Sequence, residues 1–250
     1  MKTGYWEPEK GKRTHYIKAG NGKQALLLLH GMASSMEQWV EEIKNWSRDF
    51  TVYSFSFPGC GSSDPLDQSK MTLDYLPLFV DKFVEAFQIK NPIIVGGSFG
   101  GLAAIEYTRR FQNKVKKLVL VSSAGLGKEV GLLIRLASLP IVGEIIYYLR
   151  KDKDEPHDIG NTLRFVRAGV DFLGQKKEVF RLRHLKKINI PVFVLHGRDD
   201  EVIPVRHSIL AAKIIPNSKL HIFEKAGHWP PSSHREEFCE LVREFALGQS

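Results

Sequence analysis

Six short apolar runs recur along the chain: ALLLL at Ala25–Leu29, TVYSF at Thr51–Phe55, PIIV at Pro92–Val95, KLVLV at Lys117–Val121, PVFVL at Pro191–Leu195 and KLHIF at Lys219–Phe223. Their hydrophobicity is continuous, and a strand needs apolar residues on both sides only when both faces of its sheet are covered, as in a parallel sheet. Segments with helical spacing separate them: Ser35–Trp46, Leu73–Phe87, Phe99–Phe111, Arg206–Ile214 and His234–Phe245. Strand alternating with helix predicts a doubly wound, mostly parallel α/β sheet. Upstream, HYIKAGNGKQALLLL reads as a hairpin turning at Asn21-Gly22, which predicts an antiparallel start to that sheet.

One connection breaks the rhythm. The 62 residues from Leu126 to Lys187 exceed ordinary loop lengths, and GLLIRLASLPIVGEIIYYL and NTLRFVRAGVDFL within them carry apolar residues at helical spacing. The reading is therefore a core in two parts, residues 1–125 and 188–250, with an inserted helical lid at 126–187. The insert is basic, with thirteen Lys and Arg against eight Asp and Glu.

Composition sets aside several function classes. The chain has 250 residues, 43% hydrophobic and 26% charged, which is enough for one sizeable core. No run of 18 apolar residues exists to span a bilayer, and the polar start MKTGYWEPEKGKRTHY lacks a signal-peptide core, so the expected compartment is the cytoplasm. The formal charge of +8 is spread over Lys and Arg interleaved with acids and comes with no DNA- or RNA-binding motif, so no nucleic-acid partner is expected. Cys60 and Cys239 are far apart with no Cys-x-x-Cys spacing, and the nine histidines show neither H-E-x-x-H nor H-x-H. Neither a metal nor a cofactor is implied; GxxxxGK[ST] is likewise missing.

The chemistry concentrates around VGGSFGG, Val95–Gly101. Gly96-Gly97-Ser98-Phe99-Gly100 fits G-x-S-x-G with an apolar strand before it and the helix-compatible FGGLAAIEYTRR after it. Such a turn lifts a serine oxygen to the carboxyl edge of the sheet, at the positive end of a helix dipole. A serine hydroxyl needs a base, and the base an orienting acid. HGRDDEVIP after PVFVL offers Asp199 and Asp200, and EKAGHWPP after KLHIF offers His228. Serine, then aspartate, then histidine, each behind its own strand, is the chain order of one kind of hydrolase.

Through LLLLHGM, SFPGCGSSD, VGGSFGG, VLHGRDDEVIP and AGHWP, spread over nearly the whole length, the chain resembles the α/β-hydrolase fold family, in its lidded carboxylesterase and carbon–carbon hydrolase group. The resemblance implies Ser98 as nucleophile, His228 as base and Asp200 as acid. In such families the acid follows the glycine of the HG pair by three residues and precedes a proline by four, as Asp200 does between Gly197 and Pro204; Asp199 is the alternative. It also implies an oxyanion hole from the backbone N–H groups of Met32 and Phe99. The chain departs from the family at Phe57, directly before Pro58, and at Gly97, where many relatives place His or Asn before the nucleophile.

His30, Gly31, Trp229, Arg164 and Arg167 are the further candidates for substrate contact. For His30, directly behind a buried strand, a hydrogen-bonded anchor is the competing role; for Trp229, packing against its own loop; for the two arginines, a solvated helix face in place of bidentate binding of a carboxylate. The expected substrate is a small carboxylic ester with a short to medium acyl chain. The alternatives are a ring-fission product of the 2-hydroxy-6-oxo-dienoate type, cleaved at a carbon–carbon bond by the same groups, and a non-catalytic receptor on the same fold. The sequence leaves the oligomeric state open.

Overall fold

The structure is a computed structural model, which describes residues 1–32, 34–65, 72, 74–127 and 182–249. Among the described residues eight strands form one sheet: β1 (Lys2–Glu9), β2 (Lys12–Ala19), β3 (Ala25–Leu29), β4 (Thr51–Phe55), β5 (Ile93–Gly97), β6 (Lys117–Val121), β7 (Val192–Gly197) and β8 (Ser218–Phe223). Their order across the sheet is β1-β2-β4-β3-β5-β6-β7-β8. From β4 to β8 every pairing is parallel, while β1 and β2 are antiparallel to each other and β2 is antiparallel to β4.

Among the described residues the helices are α1 (Val40–Trp46), α2 (Tyr75–Ala86), α3 (Phe99–Phe111), α4 (Leu182–Leu185), α5 (Val205–Ile214) and α6 (Arg235–Leu247). Strand side chains alternate between faces, and this divides the interior into two cores. Leu27, Leu29, Ile94, Leu118 and Leu120 pack with α2, α3 and α5. Their chain neighbours Leu26, Leu28, Ile93, Val95, Val119 and Val121 pack with α1 and α6 on the other side. Leu26 to Leu29 are all at zero exposure, and burying each side chain stabilises the fold by roughly 1.5–3 kcal/mol. Both faces need apolar residues, which is why these strands read as unbroken hydrophobic runs.

The expected hairpin at Asn21-Gly22 is corrected. β2 and β3 are not neighbours, because β4 lies between them, and the hairpin that does start the sheet joins β1 to β2 around Lys10-Gly11. The segment at Gly20 to Gly22 packs closely on the turn between α1 and β4: a Cβ at Gly22 would meet the Asp49 carbonyl oxygen at 2.0 Å. The glycines there allow close backbone approach, so the chain crosses over instead of folding back. The expected lid falls almost wholly within 128–181, outside the described residues; the flanking Leu126 and Leu185 are both buried in the α3 side of the core.

Strand order reverses between β3, which leads outward to β4, and β5, which leads the other way to β6. Open α/β sheets bind ligands in the crevice that such a reversal leaves at the carboxyl ends of the strands. Ser98 follows β5 at that point.

Candidate active site

Ser98 caps the N-terminus of α3 with φ 50° and ψ −115°, a left-handed conformation for a residue with a side chain. Such a geometry costs about 1–3 kcal/mol and persists only where the surroundings hold it. Here they do: the Ser98 N–H donates to the Val121 carbonyl at 2.9 Å, and the Ser98 carbonyl accepts from Gly101 and Ala124, each at 3.0 Å. The glycines around it make room for other backbone. A Cβ at Gly100 would sit 2.1 Å from the Leu29 carbonyl oxygen, so only glycine lets α3 start this close to β3.

From that turn the Ser98 hydroxyl reaches Nε2 of His228 at 3.0 Å, and Nδ1 of His228 reaches Oδ2 of Asp200 at 2.8 Å. His228 sits in the loop after β8 with a quarter of its side chain exposed, and Asp200 follows β7 with its side chain wholly buried. Oδ1 of Asp200 accepts the backbone N–H groups of Val202 (2.8 Å) and Ile203 (2.9 Å). Oδ2 also accepts from Nε2 of His196, at 2.9 Å. Burial opposes the carboxylate's charge, but the hydrogen bonds from His196 and then His228 outweigh it, and they hold its carboxyl well below the usual carboxylate range. Asp199 is exposed. Ser122 and Ser123 are both buried, and the Ser123 hydroxyl donates to the Ala124 carbonyl, so Ser98 is the serine joined to the histidine.

The loop after β3 lies against Ser98. A Cβ at Gly31 would be 3.4 Å from the Ser98 Cβ. The Gly31 N–H donates to Oε1 of Gln38 at 2.8 Å, which ties this loop to the 3-10 turn at Met36–Trp39. Met32 is half-buried in the same loop, and Phe99 opens α3 directly behind Ser98. Met32 thus follows Gly31 in the loop that approaches Ser98, and Phe99 follows Ser98 itself in the chain.

His30 is fully buried between the two loops. Its Nε2 accepts the Phe57 N–H at 2.8 Å, so the ring proton resides on Nδ1, which donates to the Gly31 carbonyl at 2.7 Å. With both nitrogens engaged, the imidazole is an anchor, and the Phe57 ring packs on it with centroids 5.0 Å apart. Trp229 is half-buried, edge-on to Trp39 at 4.8 Å, and its Cζ3 lies 2.6 Å from where a Gly97 Cβ would be. Gly97 before Ser98 and Trp229 after His228 thus fit one another. Arg164 and Arg167 lie outside the described residues.

Two neighbours of the site had no local signal strong enough to single them out. Gln38 sits on an ordinary amphipathic stretch, and its contact with Gly31 depends on how the loop folds back. His196 was legible only as part of the HG pair that set the register of the acid.

A strand–turn–helix serine joined through histidine to a buried aspartate, on this sheet order, defines an α/β hydrolase. The chain belongs to the alpha/beta hydrolase fold family, whose model matches residues 24–140 and 166–234. It is 30% identical to an uncharacterized protein of Mycobacterium tuberculosis over 94% of this chain and 78% of that one. It is 25% identical to a 2-hydroxy-6-oxononadienedioate/2-hydroxy-6-oxononatrienedioate hydrolase of Burkholderia vietnamiensis, over 93% of this chain and 90% of the relative. An esterase from a Rhodococcus species shares the fold with a TM-score of 0.81 at 24% identity, covering 99% of both chains. Among the described residues no helix is long and apolar enough to cross a membrane, and no group of three His, Cys, Asp or Glu is placed to hold a metal ion.

Proposed function

We propose that this α/β hydrolase cleaves carboxylic esters of short to medium acyl chains through an acyl-enzyme on Ser98. His228 takes the Ser98 proton as the hydroxyl oxygen attacks the ester carbonyl. The resulting oxyanion is held by the backbone N–H groups of Met32 and Phe99, each such donor contributing on the order of 10²–10³ in kcat. The alcohol leaves with a proton from His228, and water activated by the same imidazole then hydrolyses the acyl-enzyme. Asp200 fixes the His228 tautomer and stabilises the imidazolium. The observation that carries this reading is the continuous line from Ser98 Oγ through His228 to Asp200, at 3.0 and 2.8 Å.

A second reading is hydrolysis of a carbon–carbon bond in a 2-hydroxy-6-oxo-dienoate. It is favoured by the likeness to the Burkholderia vietnamiensis hydrolase over nearly the whole of both chains. The ester reading comes first because the serine, histidine, aspartate and oxyanion donors suffice for it. The dienoate reaction also needs a site for the substrate carboxylate, a role open to Arg164 or Arg167. The apolar run LLIRLASLPIVGEIIYYL in the 126–187 segment suits a lid over an apolar acyl pocket.

The test is a panel of p-nitrophenyl esters alongside a ring-fission dienoate. Butyrate to octanoate esters should turn over with kcat/KM at least about tenfold above the dienoate, a fluorophosphonate should label Ser98, and Ser98→Ala should cost about 10⁶ in kcat. A dienoate that wins and requires Arg164 or Arg167 would establish the second reading, and labelling elsewhere than Ser98 would remove both.

A further inference from the structure

Asp200 serves two histidines. His228 is the one the proposed chemistry uses; His196, at the carboxyl end of β7 and at zero exposure, meets the same oxygen. The protonation of His196 follows from its neighbours. Nε2 lies 2.9 Å from Asp200 Oδ2 and 3.0 Å from the Ile203 carbonyl oxygen, two acceptors, so Nε2 carries a proton. Nδ1 lies 2.7 Å from the hydroxyl of Ser208 on α5, itself at zero exposure, which can donate to it. Ser208, His196 and Asp200 thus form a buried line that ends on the oxygen His228 uses.

From this geometry we infer that His196, fixed by Ser208, is a positioning residue that shares Oδ2 of Asp200 with His228, holding the carboxylate in place while limiting how strongly it attracts the imidazolium. A carboxylate oxygen has a limited capacity to accept, and each donor draws off charge that the other would feel. With His196 present, Asp200 is oriented by four donors among the described residues: the two backbone amides on Oδ1 and the two imidazoles on Oδ2. Without it, the carboxylate can rotate, and the remaining charge falls on His228 alone. The imidazolium is then overstabilised, which makes His228 a base that is protonated too readily. Among the described residues, the titratable groups that interact with this carboxylate are His196 on β7 and His228 behind β8; Asp199 and Glu201 are its chain neighbours, and Arg206 and the buried His207 follow at the start of α5. Only the two imidazoles hydrogen-bond to its oxygens among the described side chains.

The inference rests on Ser98, His228 and Asp200 acting as proposed above, and the experiment separates the two. Purified wild type, His196→Phe, His196→Gln and Ser208→Ala are compared for Ser98 labelling by a fluorophosphonate and for the pH dependence of ester kcat and kcat/KM. Phenylalanine keeps the ring and removes the donor; glutamine restores an N–H near the position of Nε2. His196→Phe should lower kcat about ten- to a hundredfold, the range seen when an outer partner is removed from metal-bound histidines. KM should stay within about twofold, because the substrate is not touched. The acid limb of kcat/KM should move to higher pH by about half a unit or more. His196→Gln should recover most of both effects, and Ser208→Ala should move the limb the same way by less. A folded His196→Phe whose acid limb stays in place or moves down overturns the inference, since a space-filling ring would leave the profile alone. If His196→Phe does not fold, an unmoved limb in Ser208→Ala overturns it. If the wild type is neither labelled at Ser98 nor active on the esters, the underlying reading fails instead.

Discussion

Asp199 and Asp200 are chain neighbours in opposite surroundings. Asp199 points to solvent, while Asp200 is buried under four hydrogen-bond donors and ionised far into acid. On the proposed mechanism, Asp200→Asn offers His228 an amide in place of a carboxylate and loses both the tautomer and the charge that would steady an imidazolium. The expected loss is up to about 10⁴ in kcat. Asp199→Asn should change kcat by less than about threefold, the scale of a screened surface charge. Steady-state ester kinetics on the two variants checks this, and the reverse ranking would move the acid by one residue. The lowered carboxyl of Asp200 also sets a sign for stability. An acid whose folded-state pKa is depressed contributes its full share above the unfolded value, roughly 3.9, and loses it as pH falls toward the folded one. This contribution should therefore be constant across neutral pH. At this scale the sequence singles out Ser98, Asp200 and His228 by residue type and order, and the structure brings the three within hydrogen-bond distance. It is mute where an ordinary residue gains its place from a loop's path, as Gln38 does at Gly31.

The elements that read most clearly were those whose burial leaves a local pattern. β3, β4 and β6 fall on the apolar runs with the bounds read from the sequence, and α3 spans Phe99–Phe111 as its spacing suggests. β1 was missed because it is an edge strand: Lys2, Glu7 and Glu9 interrupt it, and its residues are mostly exposed or half-buried, so neither burial pattern appears. The misplaced hairpin has a related cause. An Asn-Gly pair permits a tight turn, but which strands pair is decided by long-range fit, and β4 fits between β2 and β3. Between helices, α1 and α6 are joined by an ion pair the sequence does not reveal, Arg235 Nε to Glu42 Oε1 at 3.2 Å. Glu42 is almost fully buried, and that burial raises its carboxyl while Arg235 pulls it down. Arg235→Leu should leave an uncompensated buried carboxylate. Because Arg235 is half exposed, the loss at pH 7.5 should be about 1–2 kcal/mol, below that of a wholly buried pair. An acid whose pKa is raised in the fold is relieved by protonation, so the loss should shrink at pH 5. Urea unfolding at the two pH values measures it, and a loss independent of pH would show that Arg235 acts through packing alone.

The sheet as a whole separates the molecule into two interiors, and the two cysteines report on one each. Cys60 lies in the core shared with α2 and α3, and Cys239 lies on α6 in the core across the sheet. Both are free thiols with almost no exposed surface, on opposite sides of a layer of paired backbone, so they cannot form a disulfide without unfolding. Burial pushes the Cys239 thiol up to about 12 and raises that of Cys60 further, so neither supplies thiolate at neutral pH. Reaction with an alkylating reagent then requires an opening that exposes the sulfur, and for residues this deep the opening approaches global unfolding. A domain stable by about 5–15 kcal/mol opens globally less than once in about 10³ molecules at any instant. In native buffer, iodoacetamide should therefore modify both cysteines at least about 10³-fold more slowly than it does in denaturing urea. As urea is raised, the two should become reactive together, because the sheet is a wall of both cores and neither can open while it stands. Peptide mass spectrometry after quenching resolves the two sites. Early reaction of Cys239 alone would show instead that α6 detaches from the sheet before the rest of the molecule unfolds.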